Sequence, residues 1–249
     1  MATTFLTLVN DVNKRLNEVE LTSTNFAAST GFYAHIKDAV NSAIRYINES
    51  EYEWPFNHSQ KEQVLTAGTT RYAFPTDAKL LDFESFRIKE NATLGNDTRK
   101  LSIISYDEYL EKYVDQEYAA SQRRALPRYV FHGPDLKYGL VEPPDQAYTL
   151  VYDYYVFQAD LDAHGDTMVI PDRFKHVVVD AAMFHALMFR GNTQDAVVLK
   201  ERSDEGIKAM RSMLINRYHY MRSYMIPAAT GGRRLGSARS TAGSSLDGL

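Results

Sequence analysis

The chain has 249 residues, of which 17 are tyrosine, one is tryptophan and none is cysteine. Lysine and arginine number 28 against 32 acids, for a net charge of −4. Disulfides, thiolate metal sites and cysteine nucleophiles are thereby excluded, and the mild acidity argues against the basic surface of a dedicated nucleic-acid binder.

Phe5, Leu8, Val9, Val12, Leu16 and Val19 recur at helical spacing, which predicts a first helix capped by Thr3 or Thr4. A second helix is expected over 29–49, with Phe32, Ile36, Ala39, Val40, Ala43 and Ile47 on its stripe. The connection between them, 20–28, is largely polar and carries Phe26, and two helices so joined should pack antiparallel. Trp54-Pro55-Phe56 closes this helical part, because proline cannot continue a helix.

The pattern then turns to strands. Residues 63–66 and 70–74 around Ala67-Gly68-Thr69 read as a hairpin ended by Pro75. Further strands are expected over 80–89 and 100–104, separated by a turn with Gly95-Asn96-Asp97 at its tip. Ser105 with Glu108 is a capping box for a short helix. Residues 128–131 and 137–141 flank the turn His132-Gly133-Pro134-Asp135. The run 147–158 is the strongest strand, rich in β-branched and aromatic residues. Ten of the tyrosines fall between Tyr106 and Tyr155.

After Pro171 a third helix is expected over 172–190, stopped by Gly191-Asn192, and a fourth over 194–221 with Gly206 as a point of bending. The stretch after Pro227 is too polar to bury a core and is expected to be disordered in isolation. It carries +2, leaving −6 on the rest. The fold class that follows is α+β: a four-helix bundle built from 1–55 and 170–221, an inserted β-rich lobe over 56–169, and an extended C-terminal arm over 222–249. No run reaches the roughly 18 apolar residues that span a bilayer. The opening residues carry no basic leader before Asp11, Lys14 and Arg15, so no secretory signal and no membrane partner are expected.

No Gly-rich phosphate loop and no Gly-x-Ser-x-Gly elbow occurs. The seven histidines, His35, His58, His132, His164, His176, His185 and His219, form no helical zinc pair, and His185 reads as a hydrogen-bonded core residue. Asp160, Asp162 and Gly165 imitate the start of a calcium loop, but Pro171 stands where a bidentate glutamate belongs; the stretch reads as a polar turn. Glu84, Asp107, Glu108 and Asp153 are available as catalytic acids, though spacing alone identifies no pair. No catalytic residue, cofactor or metal is assigned, and the tyrosines read as sheet packing and interface.

One resemblance runs through these patterns. The helix containing Ala39-Val40-Asn41-Ser42-Ala43-Ile44-Arg45, the run Trp54-Pro55-Phe56 and the stretch from Leu65 to Pro75 look like the head-to-tail adaptor proteins of tailed bacteriophages. The run from Ile170 to Asp180, with Met188-Phe189-Arg190-Gly191-Asn192, is similar to the family's third helix and turn. The resemblance implies a non-enzymatic virion protein of a short-tailed phage, assembled in the host cytoplasm and resident in the neck. It implies a dodecameric ring of this chain that binds the portal protein and the tail nozzle or tail tube protein. DNA would pass through its lumen without sequence-specific binding. The polar tail matches the portal-docking arm in position and character, with Arg233, Arg234, Leu235 and Arg239 as candidate docking residues. The alternatives are a carbohydrate-binding module of the tail or virion, suggested by the tyrosines, and a cell-wall hydrolase.

Overall fold

Thr4 adopts extended angles, and its hydroxyl accepts a hydrogen bond from the Thr7 N–H at 3.3 Å, which starts α1 (Phe5–Arg15). The computed structural model describes residues 3–89, 98–118 and 124–215. Phe5, Leu8, Val9 and Val12 are buried as the stripe predicts. Val19 is not, being 75% exposed, because Asn17 takes a φ of 57° and breaks the helix before the next turn. α2 (Phe32–Glu49) starts after Gly31, three residues later than expected, and buries Ile36, Ala39, Val40, Ala43, Ile44 and Ile47. Phe26 of the connection is buried too and meets Phe5 edge-on, with ring centroids 5.1 Å apart.

The strands form two sheets. In the first, β9 (Thr149–Val156) is central, with β1 (His58–Val64) along one side. β3 (Ala78–Leu81) and β4 (Arg87–Lys89) lie end to end along its other side, and β5 (Thr98–Lys100) pairs with β4. The second sheet has the order β2 (Arg71–Ala73), β8 (Lys137–Val141), β7 (Tyr129–Gly133), β6 (Ser102–Ile103). The expected hairpin over 63–74 does not form: β1 pairs with β9 and β2 with β8, so the 65–70 turn carries the chain from one sheet to the other. The expected strand over 80–89 is broken by a 3-10 turn at Phe83–Ser85, where the Asp82 carboxylate accepts from the Glu84 N–H at 2.9 Å. The expected strand over 100–104 is likewise divided between the sheets, and most of the turn expected before it lies outside the described residues.

The two sheets share a core. Leu150, Tyr152 and Tyr154 of β9 and Ile88 of β4 meet Tyr72, Val130, Tyr138 and Leu140 from the second sheet. Alternation along the strands sends Phe131 and Val141 to the other face of the second sheet. There α3 (Tyr106–Lys112) covers them through Tyr109. Ser105 caps α3 as expected, accepting from the Glu108 N–H at 3.1 Å. α4 (Val114–Tyr118) follows.

The last two described helices are α5 (Lys175–Phe189) and α6 (Thr193–Leu214). Asn192 caps α6, and Gly191 at φ 80° turns the chain between them. α5 packs on both α1 and α2. α6 buries Ala196, Ser203, Ile207 and Met210. A Cβ at Gly206 would lie 2.7 Å from Val177 Cγ2: the glycine is a point of close helix approach. The class is therefore α+β, with helices at both ends of the described chain and sheets between them.

Candidate functional site

Of the tyrosines between Tyr106 and Tyr155 whose burial is described, none is exposed. Tyr109, Tyr138, Tyr148, Tyr152 and Tyr154 are buried, and Tyr106, Tyr113, Tyr129 and Tyr155 half-buried. Their rings pack on aromatic neighbours, as with Phe86 and Tyr152, stacked with centroids 4.6 Å apart. Burial pushes the Tyr152 hydroxyl up to about 12 and raises those of Tyr138 and Tyr109 further. Tyr138 donates to Gln63 Oε1 at 2.7 Å. These rings are used chiefly in packing the sheets and α3.

The calcium-like stretch is a structural turn. Asp160 is paired with Arg45, whose Nε donates at 2.7 Å, and that hydrogen bond holds the carboxyl below the usual range. The N–H groups of Asp162 and Ala163 donate to Asp166 Oδ2 at 2.8 Å each and lower its pKa. The turn's carbonyls then serve α1: the N–H of Phe5 donates to the Asp166 oxygen at 2.7 Å and that of Leu6 to His164 at 3.1 Å. These satisfy donors that a helix start leaves without partners. Glu84 is exposed within the Phe83–Ser85 turn, and Asp153 lies on the outer face of the first sheet next to Gln60 and His58. His185 is only half-buried, and burial lowers its pKa. No group of three or more potential metal ligands exists among the described residues. Nor is any helix of the described residues long and apolar enough to cross a membrane. Arg233, Arg234, Leu235 and Arg239 lie outside the described residues, as does the end of the fourth helix as expected from the sequence.

What the structure brings together is the junction between helices and sheets. Trp54 is fully buried, and its Nε1 donates to the Ile47 carbonyl at 2.8 Å, answering a carbonyl in the last turn of α2. Asn57 donates to Asn48 Oδ1 at 2.7 Å. From β3, Lys79 donates to the carbonyls of Asn48 and Glu51, and burial lowers its pKa. From α6, Arg211 donates to the Ser50 carbonyl at 2.6 Å and pairs with Glu51 at 2.8 Å. Cations at a helix C-terminus satisfy its last carbonyls and complement its dipole. The Trp-Pro run is thus the seat where the end of α2 is fixed to β3 and α6.

Two further charged nodes carry no sequence motif. Asp180 of α5 is 1% exposed yet binds Arg15 of α1 at 2.5 Å and Arg202 of α6 at 2.9 Å. The sequence did mark it, as one acid inside Val-Val-Val-Asp-Ala-Ala. Glu117 of α4 joins Arg71 of β2, at 2.9 Å, to the Tyr109 hydroxyl and so fixes α3 and α4 to the second sheet.

These nodes join helices to sheets and helices to one another. The model of the SU10 adaptor protein family matches residues 3–230. The chain belongs to that family. The match runs from the cap of α1 through both sheets and α6, and it includes all the runs that carried the adaptor resemblance. No curated protein matches the chain. As a phage adaptor it is a structural protein of the virion neck.

Proposed function

We propose that this adaptor joins the portal to the tail in a short-tailed phage, as a ring of twelve copies of the chain. The observation that carries the reading is the family match over 3–230, which takes in the helices and the sheets together. In this reading 1–55 and 170–221 form a four-helix bundle, 56–169 is a lobe inserted between its halves, and 222–249 is an arm. The bundle is supported by α5 packing on α1 and α2, and by Asp180 bridging Arg15 to Arg202. The ring binds portal on one side and the tail nozzle or tail tube on the other, and DNA passes through its lumen without sequence-specific contact. An excess of acid outside the tail, −6 against +2 within it, suits a conduit that repels phosphates and an arm that docks. Assembly takes place in the host cytoplasm.

The test is negative-stain imaging of the full chain mixed with its portal. Rings on the portal are expected, and a chain that stays monomeric and never touches the portal overturns the reading. Deleting 228–249, which removes Arg233, Arg234, Leu235 and Arg239, should leave the far-UV circular dichroism unchanged and weaken portal docking at least tenfold. Unchanged docking would refute the role of the arm alone.

A further inference from the structure

The β-rich region is layered, and its two outermost layers differ in charge. On one side is the open face of the first sheet. Here Arg87 of β4 stands directly opposite Lys100 of β5. Ile88 between Arg87 and Lys89 is fully buried, so alternation puts both cations on the outer face. Lys89 is paired with Glu62. Asp153, the other acid of this face, is held by Gln60 at 3.1 Å and lies 3.7 Å from His58. Arg87 and Lys100 are both exposed, and neither has an acid as a partner among the described residues. Like charges directly opposite across antiparallel strands repel, so this pair works against its own sheet. Val64, 68% exposed, lies on the same face.

The opposite side, beyond the shared core and the second sheet, is α3. Tyr109 faces inward. Asp107 and Glu111 stand two residues before and after it, about 160° around the helix, and both are exposed. Glu108 is paired with Lys112 at 2.9 Å, whereas Asp107, Glu111 and the exposed Asp115 of α4 form no salt bridge among the described residues. Leu110, 42% exposed, lies on the same helix next to Glu111.

We propose that these faces are the two halves of a head-to-tail contact between copies of this chain, the Arg87–Lys100 strip of one protomer seating on the acidic α3 face of the next. The inference rests on the ring reading and adds the surfaces it uses. A two-fold contact would set like charge on like, whereas a heterologous contact brings together opposite faces of the same subunit. The presence of both signs on one chain, each beside exposed apolar side chains, favours a second copy over a phosphate backbone. Association through these faces weakens as salt rises.

The experiment measures self-association of the full chain by sedimentation, at low and high salt, for the wild type, R87E/K100E, D107K/E111K and their equimolar mixture. Thermal melts confirm that each variant is folded, and E111K alone serves if D107K weakens the start of α3. Each double variant should associate at least tenfold more weakly than wild type at low salt. The mixture should recover, because every contact in it again pairs opposite charges. Wild-type-like association of the double variants, or a mixture that stays dissociated, overturns the proposal while the ring reading stands. Loss of DNA retention in R87E/K100E with association intact reassigns the strip to phosphate and also overturns it. A wild type that forms no ring with or without portal overturns both readings.

Discussion

Asp180 is the most buried charge of the helical region, and the exposure of its partners decides what its loss costs. Its carboxylate is 1% exposed, whereas the side chains of Arg15 and Arg202 are 40% and 62% exposed. Removing the acid leaves two cations that reach water. Removing the cations strands a carboxylate inside α5, and an uncompensated buried charge is the expensive outcome. Asp180→Asn should therefore cost about 1.5–3 kcal/mol, in the range of a lost charged hydrogen bond, and R15A/R202A about 3–5 kcal/mol. Urea unfolding of the two variants checks the order, and equal costs would contradict the argument. Histidines and candidate catalytic acids draw the eye first, yet those among the described residues are turn anchors and exposed or half-buried groups. The acid inside an apolar helix run was the more telling signal.

At the scale of elements, Gly206 sets how closely α6 approaches α5. Glycine costs a helix about 1 kcal/mol relative to alanine, so an exposed Gly206→Ala would stabilise. Here the new Cβ meets Val177 at Cγ2, Cγ1 and Cβ, 2.7, 3.1 and 3.4 Å away. A β-branched valine has one strongly preferred rotamer in a helix and cannot swing aside. Overpacking of this kind costs about 1–3 kcal/mol, which outweighs the propensity gain, so Gly206→Ala should lower the melting temperature and V177A/G206A should recover part of the loss. A rise in melting temperature for the single variant would show that α6 moves freely. The helices were legible in the sequence because their stripes and caps are local. The strands were legible as strands but not in their pairing: β1 and β2 are neighbours across a glycine turn, yet each finds its partner in β9 or β8, far along the chain. The Asp82 and Ser85 side chains that break the strand over 80–89 were visible, since both bond to nearby backbone. The charged faces were not, because whether Arg87 meets Lys100 depends on register.

Across the whole described unit, the question is whether helices and sheets unfold together. The chain leaves α2 through Trp54, and the first crossing is fixed by Trp54 to Ile47, Asn57 to Asn48 and Lys79 to two α2 carbonyls. It returns after β9, and the second crossing is fixed by Arg45 to Asp160 and by Asn41, which bonds both the carbonyl and the N–H of Leu161 at 3.0 and 3.1 Å. Neither crossing is a bare linker of the kind that lets domains move independently. Trp54 is the only tryptophan and sits at the first crossing, so its fluorescence reports the junction while far-UV circular dichroism reports helices and sheets together. The two signals should trace a single coincident transition in urea, the behaviour of one cooperative unit. Lys79→Met leaves the carbonyls of Asn48 and Glu51 without their cation and should bring the fluorescence transition to lower urea than the dichroism. Coincident curves in the variant would mean that Trp54 and the second crossing hold the unit together without Lys79, and separate curves in the wild type would mean that the helices and the sheets are distinct folding units.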